Sequence, residues 1–303
     1  MPALFAAMAI AALALTGCGG NGETTARASA ASAAFPATAG SVTLETKPVK
    51  IVSLSPTVTE MLFAIGAGSQ VTAVDKLSNE PASAPKTDLS GFKPNAEAIA
   101  AKNPDLVVLS SDTNKILDQL ATLKIPVYFA PSAKTLDDTY TQINDLGKLT
   151  GHADEAEGLV KSMQDGIAAI VQSAKPGTRK LTYFHELDPT LYSATSRTFI
   201  GSVYSMLGLV NVADPADTAG GGYPQMSSEA LIKANPDMIF LADTKCCQQS
   251  AATVKARPGF ADVTAVKNNQ IVELDDDIAS RWGPRVVDLL RAVADAVAKV
   301  PTA

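Results

Sequence analysis

The strongest constraint on the fold is a pattern that occurs twice. Residues 93–109 read KPNAEAIAAKNPDLVVL and residues 225–241 read QMSSEALIKANPDMIFL. The register between them is constant at 132 residues, running from Glu97 to Glu229, Asn103 to Asn235, Pro104 to Pro236 and Asp105 to Asp237. Each copy has a helix start with an acidic residue, an apolar stripe, an Asn-Pro-Asp break and an apolar strand. Proline ends the helix because it lacks the N–H that the ladder needs, and aspartate tolerates the turn into the strand. A chain carrying two such units is expected to fold as two similarly built lobes. A looser echo, SPTVTEMLFAIG at 55–66 against SRTFIGSVYSMLG at 196–208, sets a Ser/Thr-rich turn before an amphipathic helix that ends in glycine.

Short runs at 51–54, 106–110 and 126–130, and again at 180–187, 238–242 and 270–275, read as strands. Apolar on both faces, they suit mainly parallel sheets covered by helices. After the first strand, Ser55 or Thr57 is placed to cap a helix, with Glu60 read as an acid of its first turn. Between the halves, Ala156, Leu159, Val160, Met163 and Ile167 recur at helical spacing, and Pro176-Gly177 ends the run. The expected fold class is therefore α/β: two lobes with central mainly parallel sheets flanked by helices, joined by one long backbone helix. The boundaries read as an N-terminal lobe at 49–150, the connecting helix at 151–177 and a C-terminal lobe at 178–303. A stiff connector of this kind permits only limited motion between the lobes.

The front of the chain is organised differently. Residues 3–16 are apolar or small and uncharged, too short a run to cross a bilayer comfortably but suited to a cleaved export signal. The run ends in Leu15-Thr16-Gly17-Cys18, which resembles the bacterial lipobox Leu-x-Gly/Ala-Cys at every position. Residues 1–18 are accordingly read as a lipoprotein signal peptide, with Cys18 as the lipidated residue that anchors the protein to the outer face of the membrane. No basic residue precedes the run, which leaves open a start codon further upstream or an atypical signal. Residues 19–48, rich in Ala, Ser, Thr and Gly, read as a flexible tether.

The net charge of −6 and pI near 5.0 argue against nucleic acid as a partner. Catalysis has little support. The chain holds two histidines, His152 and His185, and lacks an HExxH string, a GxSxG elbow and a P-loop. Neither a cofactor nor a metal site is expected. The acidic run Glu273, Asp275, Asp276 and Asp277 reads as solvated turn carboxylates before a cation site. Beyond Cys18 the cysteines are the adjacent Cys246 and Cys247. They read first as plain loop residues, with a vicinal disulfide or a soft-metal or axial iron ligand as alternatives.

From about 49 to 300 the chain resembles the helical-backbone (class III) periplasmic substrate-binding proteins of ABC importers for ferric siderophores, haem and vitamin B12. The resemblance is carried by IVSLSPTVTEMLFAIG, PNAEAIAAKNPDLVVL, LYSATSRTFIGSVYSMLG, AVKNNQIVELD and GPRVVDLL. It implies a monomer that holds a small-molecule ligand between its lobes and delivers it to an ABC permease dimer. It also implies that Glu97 and Glu229 dock onto arginines of the permease. A purely local reading, in which each acid favours a helix N-terminus, stays open.

In open α/β sheets the crevice lies beyond the carboxyl ends of the strands. That rule nominates Ser55, Pro56 and Thr57, then Ser110, Ser111 and Asp112, with His185, Glu186, Arg197, Tyr223, Asp243 and Ser280-Arg281-Trp282 from the second lobe. Arg197 and Arg281 suit the anionic groups of a chelate, and Tyr223 and Trp282 suit stacking on a flat face; surface ion pairing or lobe packing is the alternative for each. Arg285 reads as structural. The aromatic that vitamin-B12 binders carry is not evident in TDLSGF, where Gly91 and Phe92 fall. The leading expectation is an iron chelate, siderophore or haem. A corrinoid is the alternative, and a non-transport envelope lipoprotein is a third reading.

Overall fold

The computed structural model describes residues 35–174 and 180–300; the expected signal, Cys18 and Pro176-Gly177 lie outside them. Strands follow in the order β1 Ala37–Ala39, β2 Val42–Leu44, β3 Ile51–Leu54, β4 Val71–Val74, β5 Leu106–Leu109 and β6 Val127–Phe129, then β7 Thr182–Glu186, β8 Val210–Asn211, β9 Met238–Leu241 and β10 Ile271–Glu273. The α-helices are α1 Pro56–Ala64, α2 Ala96–Ala100, α3 Ile116–Thr122, α4 Leu136–Thr150, α5 Ala153–Ser173, α6 Phe199–Ser205, α7 Ser228–Ala234, α8 Ala251–Lys255, α9 Thr264–Lys267, α10 Asp276–Ser280 and α11 Val286–Val297. Two four-stranded parallel sheets result, ordered β4-β3-β5-β6 and β10-β9-β7-β8. Counted from the first strand of each lobe, both read 2-1-3-4, so the lobes share one topology.

The Asn-Pro-Asp units explain why the echo exists. Asn103 and Asn235 both adopt the left-handed conformation, at φ 50° and 46°, which asparagine tolerates better than most residues. The aspartate that follows then binds the start of the neighbouring central strand. Asp105 accepts the N–H groups of Val49 and Lys50 at 2.8 and 2.9 Å, and Asp237 accepts the N–H of Thr182 at 2.8 Å. The spacing of 132 continues into the ladders, since Ile51 pairs with Leu106 where Tyr183 pairs with Met238. One turn thus ends a helix, starts a strand and sets its register.

Each sheet has its own outer apolar layer. Val52, Leu54, Val107 and Leu109 contribute to that of the first lobe, and Phe184, Ile239 and Leu241 to that of the second. The inner faces share a single core with α1, α4, α5, α6 and α11. The long helix α5 carries the chain from one lobe to the other. It packs back on α4 through the Thr150-Gly151-His152 turn, in which Gly151 ends α4 in the left-handed conformation.

Two expectations are corrected. Residues 37–44, read as tether, form the β1–β2 hairpin, turned by Gly40 and packed so that Ala37, Ala39, Val42 and Leu44 are buried. Alternation of small apolar with exposed residues produces this, and alanines made the pattern faint. Glu60 lies past the first turn of α1 and is buried, so it does not serve the helix dipole. Strands β4 and β8 are short and lie beside stronger apolar runs, so the sequence gives them little signal of their own.

Gly147 sits where α4 meets the start of α5. A β-carbon there would stand 2.4 Å from that of Ala156 and 2.9 Å from the carbonyl oxygen of His152. Gly147→Ala is therefore expected to cost about 1–3 kcal/mol by overpacking, read as a lower thermal midpoint.

Candidate functional site

The carboxyl ends of β3 and β5 open onto a cavity of about 530 Å³. Ser55 caps α1 by accepting the N–H of Val58, and this fixes Ser55, Pro56 and Thr57 along the cavity wall. Ser110 and Ser111, just past β5, form the next stretch. Ser111 shares a 2.8 Å hydroxyl contact with Thr113, whereas the buried Ser110 hydroxyl has no protein partner. Gly91 brings a further loop against β3, where a β-carbon would fall 2.5 Å from the Leu54 carbonyl oxygen. That close approach holds Phe92 on the cavity wall with 71% of its surface exposed.

The opposite wall comes from the second lobe. Asp277, Ser280, Arg281 and Trp282 line it, on α10 and the extended residues after it. This segment is fastened to the first lobe. The Trp282 indole N–H donates to Gln142 Oε1 at 3.0 Å, and its carbonyl accepts the Thr139 hydroxyl at 2.9 Å. Arg281 donates to Glu60 Oε1 at 2.5 Å, to Asp277 Oδ1 at 2.7 Å and to Asn79 Oδ1 at 2.9 Å. Arg285 approaches the same Glu60 through Nε at 2.8 Å and Nη2 at 2.6 Å.

Seven of the nine predicted ligand residues therefore share the cavity: Ser55, Pro56, Thr57, Ser110, Ser111, Arg281 and Trp282. Arg281 does so with its charge already matched by Glu60 and Asp277. Arg197 and Tyr223 are not on this wall. They lie in loops past the end of β7, where Arg197 pairs with Asp217 and Tyr223 is exposed. Asp75, a buried acid with no motif around it in the sequence, also lines the cavity. Burial raises its pKa against the opposing hydrogen bonds from Ser78 and the Gly91 backbone. Phe92, in a loop with no periodic signal, reaches the wall only through the fold of that loop.

Other sequence candidates find different uses. Asp276 accepts the N–H groups of Thr244, Lys245 and Cys246, and Asp275 caps α10, so these acids tie one loop to another. Lys245 bridges Asp275 and Asp277. No group of side chains among the described residues has the makings of a metal site. Cys246 and Cys247 are bonded to each other, as one of the alternatives had it. His152 accompanies Gln70 and Lys47 at the turn between α4 and α5. His185 is fully buried against the Tyr204 hydroxyl, and desolvation lowers its pKa to about 4.

Glu97 and Glu229 are both exposed and occupy the same helical position, two residues beyond the caps Asn95 and Ser227. Hydrogen bonds from its own backbone and from Ser227 hold the Glu229 carboxyl below its ordinary range. With α2 and α7 preceding equivalent strands, the two acids sit at matching places on the two lobes.

Two lobes of one topology, one crossing helix and a cleft between them define a substrate-binding protein of the ABC-importer class. The chain belongs to the periplasmic binding protein family, which matches residues 51–278. It is 30% identical to the uncharacterized ABC transporter substrate-binding lipoprotein YvrC of Bacillus subtilis, over 97% of this chain and 96% of that protein. A cobalamin-binding protein of Halobacterium salinarum is 27% identical over 84% of this chain and 71% of its own. Among solved structures, a possible iron-binding (periplasmic solute-binding) protein of Staphylococcus epidermidis superposes with a TM-score of 0.71 at 28% identity, covering 83% of this chain and 99% of that one. The protein therefore binds a small molecule and works with an ABC permease; it is not an enzyme. No helix among the described residues is long and apolar enough to cross a membrane.

The Glu60 cluster yields a stability test. Glu60→Ala would leave two shielded guanidinium groups without their shared carboxylate, and breaking such a buried pair costs about 3–5 kcal/mol. The expected outcome is a clear fall in the urea midpoint with little change in the slope.

Proposed function

We propose that the protein captures a corrinoid, a neutral metal chelate fringed with amides, and hands it to its importer. The observation that carries this reading is the chemistry of the cavity wall. It offers hydroxyls from Ser55, Thr57, Ser110, Ser111 and Ser132, apolar surface from Phe92 and Trp282, and an arginine whose charge is already matched. Hydroxyls serve amide groups as both donors and acceptors, and the unpartnered Ser110 hydroxyl gains most from such a ligand. The cobalamin-binding relative supports the same direction. Among the described residues, the wall presents no His, Met, Tyr or Cys to serve as an axial haem ligand. A ferric siderophore is the second reading, favoured by Lys76 on the wall, which suits an anionic chelate, and by the iron-binding description of the staphylococcal structure.

Glu97 and Glu229 would dock on the permease, since two equivalent acids suit the two equivalent basic sites of a symmetric dimer. Cys18 would carry the lipid that keeps a monomeric binding protein at the outer membrane face. Titration with cobalamin, a ferric siderophore panel and haem, followed by quenching of Trp282 fluorescence, separates the ligands; saturation by a siderophore alone overturns the corrinoid reading. Phe92→Ala is expected to weaken the bound corrinoid by about 2- to 13-fold, the worth of one aromatic contact of roughly 0.5–1.5 kcal/mol. Reversing both acids, Glu97→Lys with Glu229→Lys, is expected to abolish stimulation of the transporter's ATPase while leaving ligand affinity unchanged.

A further inference from the structure

The spacing of 132 that relates the lobes also relates the ends of their central strands, and there the chemistry diverges. Leu54 and Ser111, both on the cavity wall, correspond to Glu186 and Asp243. Where the first lobe has a crevice, the second has two carboxyl groups with no exposed surface. Arg257 satisfies one of them, donating to Glu186 through both terminal nitrogens, at 2.7 Å for the longer bond, and to Gln249 at 2.8 Å. Asp243 is left over. Beyond its own backbone N–H neither of its carboxyl oxygens has a donor, and its carboxyl lies beside that of Glu186. Ser193, bridged to Glu186 across an antiparallel pair, contributes another buried hydroxyl without a partner. Two ionised carboxylates facing one guanidinium away from water would be strongly unfavourable, and a proton held on Asp243 removes the conflict.

We propose that Asp243 is held as a buried acid beside the Arg257-paired Glu186, and that loss of its proton loosens the 243–249 turn and the cleft wall attached to it. The Asp243 carbonyl accepts the N–H groups of Cys247 and Gln249. The same turn gives three N–H groups to Asp276, the first residue of α10, and α10 leads into Arg281 and Trp282 on the cleft wall. Repulsion inside the pair therefore acts on the segment that joins the lobes.

The charges around the pair are few. Arg257 faces it from beyond α8, while Lys245 is occupied by Asp275 and Asp277 on the outer side of the turn. Glu273, at the end of β10, accepts the Ala251 N–H. His185 points to the other face of β7, where burial keeps it neutral above about pH 4. Burial first, and then the Glu186 charge, push the Asp243 acid up to about 7. A folded pKa above the unfolded one means that the proton favours the folded state. Its contribution is complete below about pH 4 and is lost as the pH rises through about 7.

The consequence for transport rests on the cleft being the binding site, but the proton site can be tested without ligand. Trp282 is the only tryptophan in the sequence and lies in the coupled segment. Its fluorescence in the ligand-free protein, titrated from about pH 5 to about pH 9, should show one single-proton transition near neutrality, and Asp243→Asn should lack it. Difference infrared spectra of the unaltered protein should show a carboxylic-acid carbonyl band that disappears over the same range, which decides the matter even if the variant does not fold. A missing acid band, or an unshifted transition in Asp243→Asn, overturns the proposal. Failure to bind any corrinoid leaves this outcome unaffected and counts only against the ligand.

Discussion

A carboxylate removed from water needs matching charge, and Glu60 finds it in the other lobe. Two arginines, Arg281 and Arg285, converge on this one buried side chain of α1. Because the first of them also lines the cleft, the contact that joins the lobes also shapes the cleft. The second lobe's segment 276–285 is consequently part of the first lobe's wall, and the chain crosses between the lobes twice in effect, once through α5 and once through this ion cluster. With a common apolar core behind both sheets, the cleft is held open by packing that a hinge would have to break.

The two lobes share a frame and differ at its rim. The Asn-Pro-Asp turn performs the same task in each, so mutation of those residues is constrained by backbone geometry whatever the ligand. Past the ends of the strands no such constraint acts. One lobe carries Leu54 and Ser111 there and forms a cavity, and the other carries Glu186 and Asp243 and fills the space with Arg257. The same frame thus ends in an open crevice in one lobe and in an internally braced ion cluster in the other.

Much of this was legible beforehand, for identifiable reasons. Strands buried on both faces are continuous apolar runs, and the helix stops are Gly, Pro and Asn, so α/β lobes and the long helix could be read directly. The Ser55–Thr57 and Ser110–Ser111 segments follow from the rule that crevices lie beyond strand ends. The β1–β2 hairpin was hidden because alanine gives little apolar contrast. Phe92 was hidden because its role depends on the approach of Gly91 to a carbonyl far away in sequence.

The sequence by itself determined the periodic features, namely the strands and helices, the repeated unit and its register, because these follow from the local pattern of residues along the chain. Only the tertiary structure decided which charges are spent. Arg281 looks in the sequence like a free cation for an anionic ligand, and Glu60 looks like a helix-end acid. More than two hundred residues separate them, and the chain's folding brings them within hydrogen-bond distance. Charge pairing is a matter of proximity in space, so no local pattern could announce it.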